Sequence, residues 1–147
     1  MKLFIYYSFS GNGDIVANKM KDNGYDIRKV EVKNKLPKIL FFQLMVGGFK
    51  ALIKYKEKLI DFDSDISNYD EIVIGSPIWY DRVSSPIVTV LNKLDLSNKK
   101  LSFILYSGSG NGNVATKYLL SKYDDVKITI LKQPKDNIDE LNKIFKD

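Results

Sequence analysis

The strongest constraint on this chain is a pair of short runs that are apolar without alternation. One is Ile72-Val73-Ile74 within residues 70–75, and the other is Leu101 to Tyr106. A strand exposed to water on one side alternates polar and apolar residues, whereas these runs require cover on both faces. The cover is written between them. Asp14 to Asp22, Pro86 to Leu94 and Asn113 to Lys122 read as helices, and Asn137 to Phe145 closes the chain with Ile138, Leu141, Ile144 and Phe145 on one face. Asn23-Gly24 is a stop signal for the first helix, and Pro86 suits a first helical turn, where its missing N–H costs nothing. Three further strands are expected: Lys2 to Tyr7, Asp26 to Val32, and Val126 to Leu131 as an alternating outer strand. Strands alternating with helices predict an α/β fold. It is a doubly wound, five-stranded parallel sheet with right-handed crossovers and helices on both faces. No repeat, low-complexity tract or linker divides the sequence, so residues 1–147 read as one domain.

Absent residue types narrow the chemistry. The chain has no cysteine and no histidine. That excludes disulfides, thiolate-bound metals, cysteine nucleophiles and imidazole bases. Any catalysis is therefore expected to be carried by a bound cofactor. The net charge of +5 is spread as lysines through the sequence. Without an arginine cluster, finger spacing or RNA-stacking signature it reads as a solvated surface, and no nucleic acid partner is expected. No apolar stretch approaches the roughly 18 residues of a membrane span, and the start lacks a signal-peptide cleavage pattern. A cytoplasmic protein without a membrane partner is the expectation.

In an open parallel sheet, ligands bind beyond the carboxyl ends of the strands, where the strand order reverses. Three polar loops fall there. Ser8-Phe9-Ser10-Gly11-Asn12-Gly13 follows the first strand and opens a helix, so backbone N–H groups and serine hydroxyls suit a phosphate monoester. No lysine stands in this loop, and it matches neither a Walker A loop nor a full dinucleotide fingerprint. Gly75-Ser76-Pro77-Ile78-Trp79-Tyr80-Asp81 follows the third strand with the chain's single tryptophan beside a tyrosine, a platform for a flat heteroaromatic ring. Ser107-Gly108-Ser109-Gly110-Asn111-Gly112 follows the fourth strand, and its backbone suits the polar edge of such a ring. Residues 36–60, apolar at first and basic later around Gly47-Gly48, read as a long crossover; a lid or partner surface is the alternative.

Three blocks, "IYYSFSGNGDIVA", "IVIGSPIWYDRVSSPIVTVL" and "SFILYSGSGNGN", make the chain resemble the flavodoxin-like family of short-chain FMN-binding proteins. The resemblance implies the strand order 2-1-3-4-5 and non-covalently bound FMN. It implies that Ser8, Ser10, Gly11, Asn12 and Gly13 hold the 5′-phosphate. By the same resemblance, Pro77, Ile78, Trp79 and Tyr80 line the isoalloxazine, and Ser107, Gly108, Ser109, Gly110 and Asn111 approach its pyrimidine edge. An aromatic ring against the flavin, with Asp81 near it, would lower the potential by disfavouring the anionic reduced form. The family usually has threonine where Gly13 stands. One neutral donor fewer, about 0.5–1.5 kcal/mol, implies binding weaker by several-fold to about tenfold.

The reading that follows is a soluble electron carrier meeting redox partner proteins, acidic ones given the basic chain. The alternative is an NAD(P)H-dependent FMN oxidoreductase acting on a quinone or similar acceptor, and a further one is a flavin-free binding module. A response-regulator receiver is excluded because Ser8 to Ser10 and Ser76 occupy its acidic positions, and a low-molecular-weight phosphatase because no cysteine exists.

Overall fold

The computed structural model describes residues 1–33 and 58–146. Strand β1 (Lys2–Tyr6) leads into helix α1 (Asn12–Asp22) and strand β2 (Asp26–Lys29). Then come β3 (Glu71–Trp79), β4 (Arg82–Val83), α2 (Ser85–Leu91), β5 (Lys100–Ser107), α3 (Asn113–Lys122) and β6 (Lys127–Lys132). A 3-10 helix, Ile138–Lys143, is the last element. The sheet order is β2-β1-β3-β5-β6, with all four pairings along that path parallel. Counted among the parallel strands alone this is 2-1-3-4-5, as the sequence implies. β4 stands off the path, antiparallel to the end of β3.

The two unalternating runs are covered as their composition requires. On one face Leu3, Ile5, Ile72, Ile74, Phe103 and Leu105 pack with Ile87, Val90 and Leu91 of α2 and with Ala115 and Leu119 of α3. On the other, Phe4, Tyr6, Val73, Ile104 and Tyr106 pack with Val16, Ala17 and Met20 of α1 and with Leu141 and Ile144. Burying a large aliphatic or aromatic side chain of this kind stabilises the fold by about 1.5–3 kcal/mol. Because successive residues face opposite ways, each central strand serves both cores.

Three elements differ from the sequence reading. β3 does not end at Gly75 but runs on to Trp79 and turns back through Tyr80-Asp81 into β4, pairing Ile78 with Val83 and Trp79 with Arg82. The Gly-Ser-Pro stretch resembles a loop start, yet Ser76 is fully buried. Its hydroxyl binds the Ser84 hydroxyl at 2.9 Å, accepts from the Ser84 N–H at 3.0 Å and donates to the Pro77 carbonyl at 2.8 Å. These bonds staple the hairpin shut. β2 stops at Lys29; beyond it Val32 makes an isolated antiparallel bridge to Leu59. The last apolar-periodic segment forms a 3-10 helix in which Leu141 is buried and Ile138 exposed. Most of the 36–60 segment lies outside the described residues. Among the described residues, no helix is long and apolar enough to cross a membrane.

Candidate functional site

The strand order reverses between β1 and β3, and the carboxyl ends of β1, β3 and β5 bring the three loops to one edge. Helix α1 starts at Asn12, after an N-cap glycine, Gly11, whose φ is +96° and which has no side chain to cap the first turn. The N–H groups of that turn, together with the helix dipole, form an anion-favouring end. Within the loop the Ser8 hydroxyl accepts from the Gly13 N–H at 3.1 Å, and the Asn12 side-chain amide donates to the Ser10 hydroxyl at 3.2 Å. Two separate bonds, Ser8 with Gly13 and Ser10 with Asn12, thus hold the loop on either side of Gly11.

Gly13 is set by space. A Cβ there would lie 2.6 Å from the Tyr106 hydroxyl oxygen, 2.8 Å from Ser8 Cβ and 2.9 Å from Tyr6 Cδ2. The Tyr106 hydroxyl, fully buried, donates to the Tyr7 carbonyl, and burial holds its ionisation far above the ordinary tyrosine range. The place of a threonine side chain is therefore filled by a tyrosine from β5. Packing is thus the reason that glycine stands at position 13, and the threonine hydroxyl is absent from the loop for that reason.

A carboxylate stands in the same first turn, where it would oppose an anion. Asp14 is neutralised locally: Lys29 Nζ lies 2.7 Å from Oδ1, and the Tyr6 hydroxyl donates to the same oxygen at 2.8 Å. Burial alone would raise the Asp14 carboxyl, but the hydrogen bonds from Lys29 and Tyr6 and the charge of Lys29 outweigh it and hold the group below the usual range. Burial and the bond to Asp14 push the Tyr6 hydroxyl upward in turn.

Pro77, Ile78 and Trp79 are strand residues, and only Tyr80 lies in the turn. The Trp79 ring meets Tyr7 edge to face at a centroid distance of 5.8 Å, which fixes it beside the end of β1. Tyr80 and Asp81 both have positive φ, 51° and 56°, as a two-residue turn of the I′ type demands. Such turns favour Asn-Gly, so this pair is strained. Among the described residues, buried Asp81 Oδ1 has no hydrogen-bond partner. Strain and an orphaned acceptor at a sheet's ligand edge are features of a binding site.

The third loop is ordered by its own serines. The Ser107 hydroxyl contacts the Ser109 hydroxyl at 3.2 Å and accepts from the Ser109 N–H at 3.2 Å; the Asn111 N–H donates to the Ser109 hydroxyl at 3.2 Å. Gly108 and Gly110 lie between these anchors. Gly112 lets the second and third loops close on each other, since a Cβ there would meet Ile78 Cδ1 at 2.5 Å.

Sequence reasoning missed a fourth segment at this edge. The turn after β6 places Gln133 against the third loop: its N–H donates to the Ser107 carbonyl at 3.0 Å and its side-chain amide to the Gly108 carbonyl at 3.1 Å. Two residues on, the Lys135 N–H donates to Asn12 Oδ1 at 3.0 Å and its ammonium to the Ser10 carbonyl at 3.1 Å. No local motif marks these residues, because the contacts join opposite ends of the chain.

An open parallel sheet of this order, with a helix N-terminus at a phosphate-type loop and an aromatic hairpin beside it, defines a flavodoxin-like α/β protein. The family model for NADPH-dependent FMN reductase matches residues 12–135, and the chain belongs to that FMN-binding family. No curated protein matches the chain. Among solved structures, a candidate flavoprotein from Bacteroides eggerthii is similar at a TM-score of 0.74 and 18% identity, covering 99% of both chains. A flavoprotein from Lactobacillus acidophilus, solved in complex with FMN, is similar at a TM-score of 0.61 and 22% identity, with 97% of this chain and 98% of that one covered. The azoreductase AzrA is similar at a TM-score of 0.51 and 15% identity over 96% of this chain and 93% of that one. These likenesses concern the fold.

Proposed function

We propose that the protein is an NAD(P)H-dependent FMN oxidoreductase that reduces a quinone or similar small acceptor. The observation that carries this reading is the match to the reductase family across residues 12–135, a span that includes the second and third site loops and the last two residues, Asn12 and Gly13, of the first. The carrier role favoured by the sequence alone rested on the lack of a visible second nucleotide site, and the family match weighs against it. A net charge of +5 also suits an anionic nicotinamide nucleotide better than it suits the acidic character usual for flavodoxins.

The residues at the sheet edge fit FMN. The loop Ser8 to Gly13 and the start of α1 would hold the phosphate. Pro77, Ile78, Trp79 and Tyr80 would line the ring, while Ser107 to Asn111 would present backbone to its polar edge. Asp81 Oδ1, buried and unpartnered, is an acceptor for which a ring N–H is a suitable donor. When bound, FMN supplies the hydride acceptance that no side chain of this histidine- and cysteine-free chain provides. The chain's own part is to bind, orient and desolvate. The Trp79–Tyr7 pair and the stapled hairpin would cover one side of the ring, and Ile78 lies close against Gly112 of the third loop.

Mixing FMN-loaded protein with NADPH or NADH in the absence of oxygen tests the reading. Rapid bleaching of the flavin absorbance is expected, and inertness toward both nucleotides would return the protein to the carrier class. Absence of flavin fluorescence quenching at micromolar protein would reject FMN binding altogether.

A further inference from the structure

The first loop offers a phosphate only neutral donors, and its nearest carboxylate, Asp14, is already matched by Lys29. The remaining cation at the loop is Lys135. Its backbone is tied to Asn12, its stem runs over Gly11, where a Cβ would come within 3.3 Å of Lys135 Cδ, and its ammonium rests on the Ser10 carbonyl. Among the described residues no carboxylate lies at ion-pairing distance from it. A lysine ammonium held by one exposed carbonyl is only weakly restrained, and its four-carbon stem swings freely about a fixed backbone.

We propose that Lys135 is the residue by which the site selects a phosphorylated flavin over an unphosphorylated one. When ligand enters, its ammonium exchanges the Ser10 carbonyl for the phosphate oxygens, a charge-assisted bond that the neutral loop does not otherwise supply. The position is set by the turn at Gln133, Pro134 and Lys135, closed by the Asp136 N–H donating to the Gln133 carbonyl at 2.9 Å and anchored on Ser107 and Gly108. The third loop thereby positions the cation of the first. This inference rests on the FMN reading above.

Dissociation constants of FMN and riboflavin, measured by fluorescence quenching on wild type, Lys135→Gln and Lys135→Arg, test it. The glutamine variant keeps the backbone N–H to Asn12 and loses only the charge. It is expected to bind FMN roughly three- to tenfold more weakly with riboflavin unchanged, and the arginine variant to recover most of the loss. Added salt is expected to weaken FMN binding to wild type more than to the glutamine variant. Unchanged FMN binding in Lys135→Gln, or an equal loss of both flavins, would overturn the proposal while leaving the FMN reading intact. Failure of wild type to bind either flavin would overturn the FMN reading itself, and this inference with it.

Discussion

The loop after β1 and the hairpin that ends β3 sit at the same sheet edge, yet hydrogen bonds hold one and strain marks the other. In the first loop the Ser8 hydroxyl, the Gly13 N–H, the Asn12 amide and the Ser10 hydroxyl are matched, and Lys135 adds a strap from the far end of the chain. At the hairpin two residues with side chains occupy left-handed backbone, and a buried carboxylate oxygen has no donor. A phosphate needs a fixed set of donors, which the protein can arrange beforehand. On the proposed reading, a ring that exchanges electrons and admits a second substrate would be served by a surface whose remaining bonds are made only on binding. The order of the first region is maintained by its hydrogen bonds and by the packing around Gly13; the strain of the second is maintained by the serine staple behind it.

The largest effect that would break this contrast is expected at Gly13. Replacing it with threonine restores the residue usual in flavodoxin-like loops, but the Cβ has no room against Tyr106, Ser8 and Tyr6. Overpacking of this kind costs about 3 kcal/mol at its upper range. Chemical denaturation is expected to report that loss, with weaker flavin binding rather than stronger. A Gly13→Thr variant of unchanged stability would mean that the loop adapts and is not held by packing. The hairpin is expected to respond in the opposite sense. Changing Tyr80-Asp81 to Asn-Gly relieves the positive-φ strain and should raise stability by about 1 kcal/mol while lowering FMN affinity. A gain in both would show that the strain has no bearing on the ligand.

The smallest effect concerns acid. The Asp14 carboxyl is lowered in the folded protein, so its contribution is complete above the ordinary carboxylate value near about 4 and is lost as pH falls through its lower folded value. The pair with Lys29 is partly exposed, which limits the contribution to a few tenths of a kcal/mol. Asp14→Asn is therefore expected to be slightly less stable than wild type at neutral pH, and the gap to close in strong acid. A gap that persists at the lowest pH would assign the effect to something other than the charge.

Much of this was legible before any coordinates. Apolar runs such as Ile72-Val73-Ile74 dictate two-sided burial, and that fixes a parallel sheet and hence the edge where ligands gather. The glycine- and serine-rich loops are legible for the same reason, since their composition acts locally. What escaped is what depends on distant chain. Nothing near Ser76 says that Ser84 will fold back to bind it, so β3 reads as ending four residues early. The packing reason for Gly13 is invisible in the sequence because Tyr106, which fills the space beside it, belongs to another strand. Lys135 carries no signal at all, being placed by a turn whose anchors are Ser107, Gly108 and Asn12.

The close approaches at Gly13 and Gly112 also bear on how such a chain can diverge. The nearest neighbour of each glycine is a bulky side chain, Tyr106 in the first case, with Ser8 and Tyr6 close behind, and Ile78 in the second, with Ile130 next to it. Neither member can gain or lose volume alone without a clash or a void, so single-step drift is blocked at both. Lineages descending from this sequence should therefore change these positions as couples: a larger residue at 112 accompanied by a smaller one at 78, and a side chain at 13 only where 106 has given up its hydroxyl and the Ser8 and Tyr6 side chains have made room.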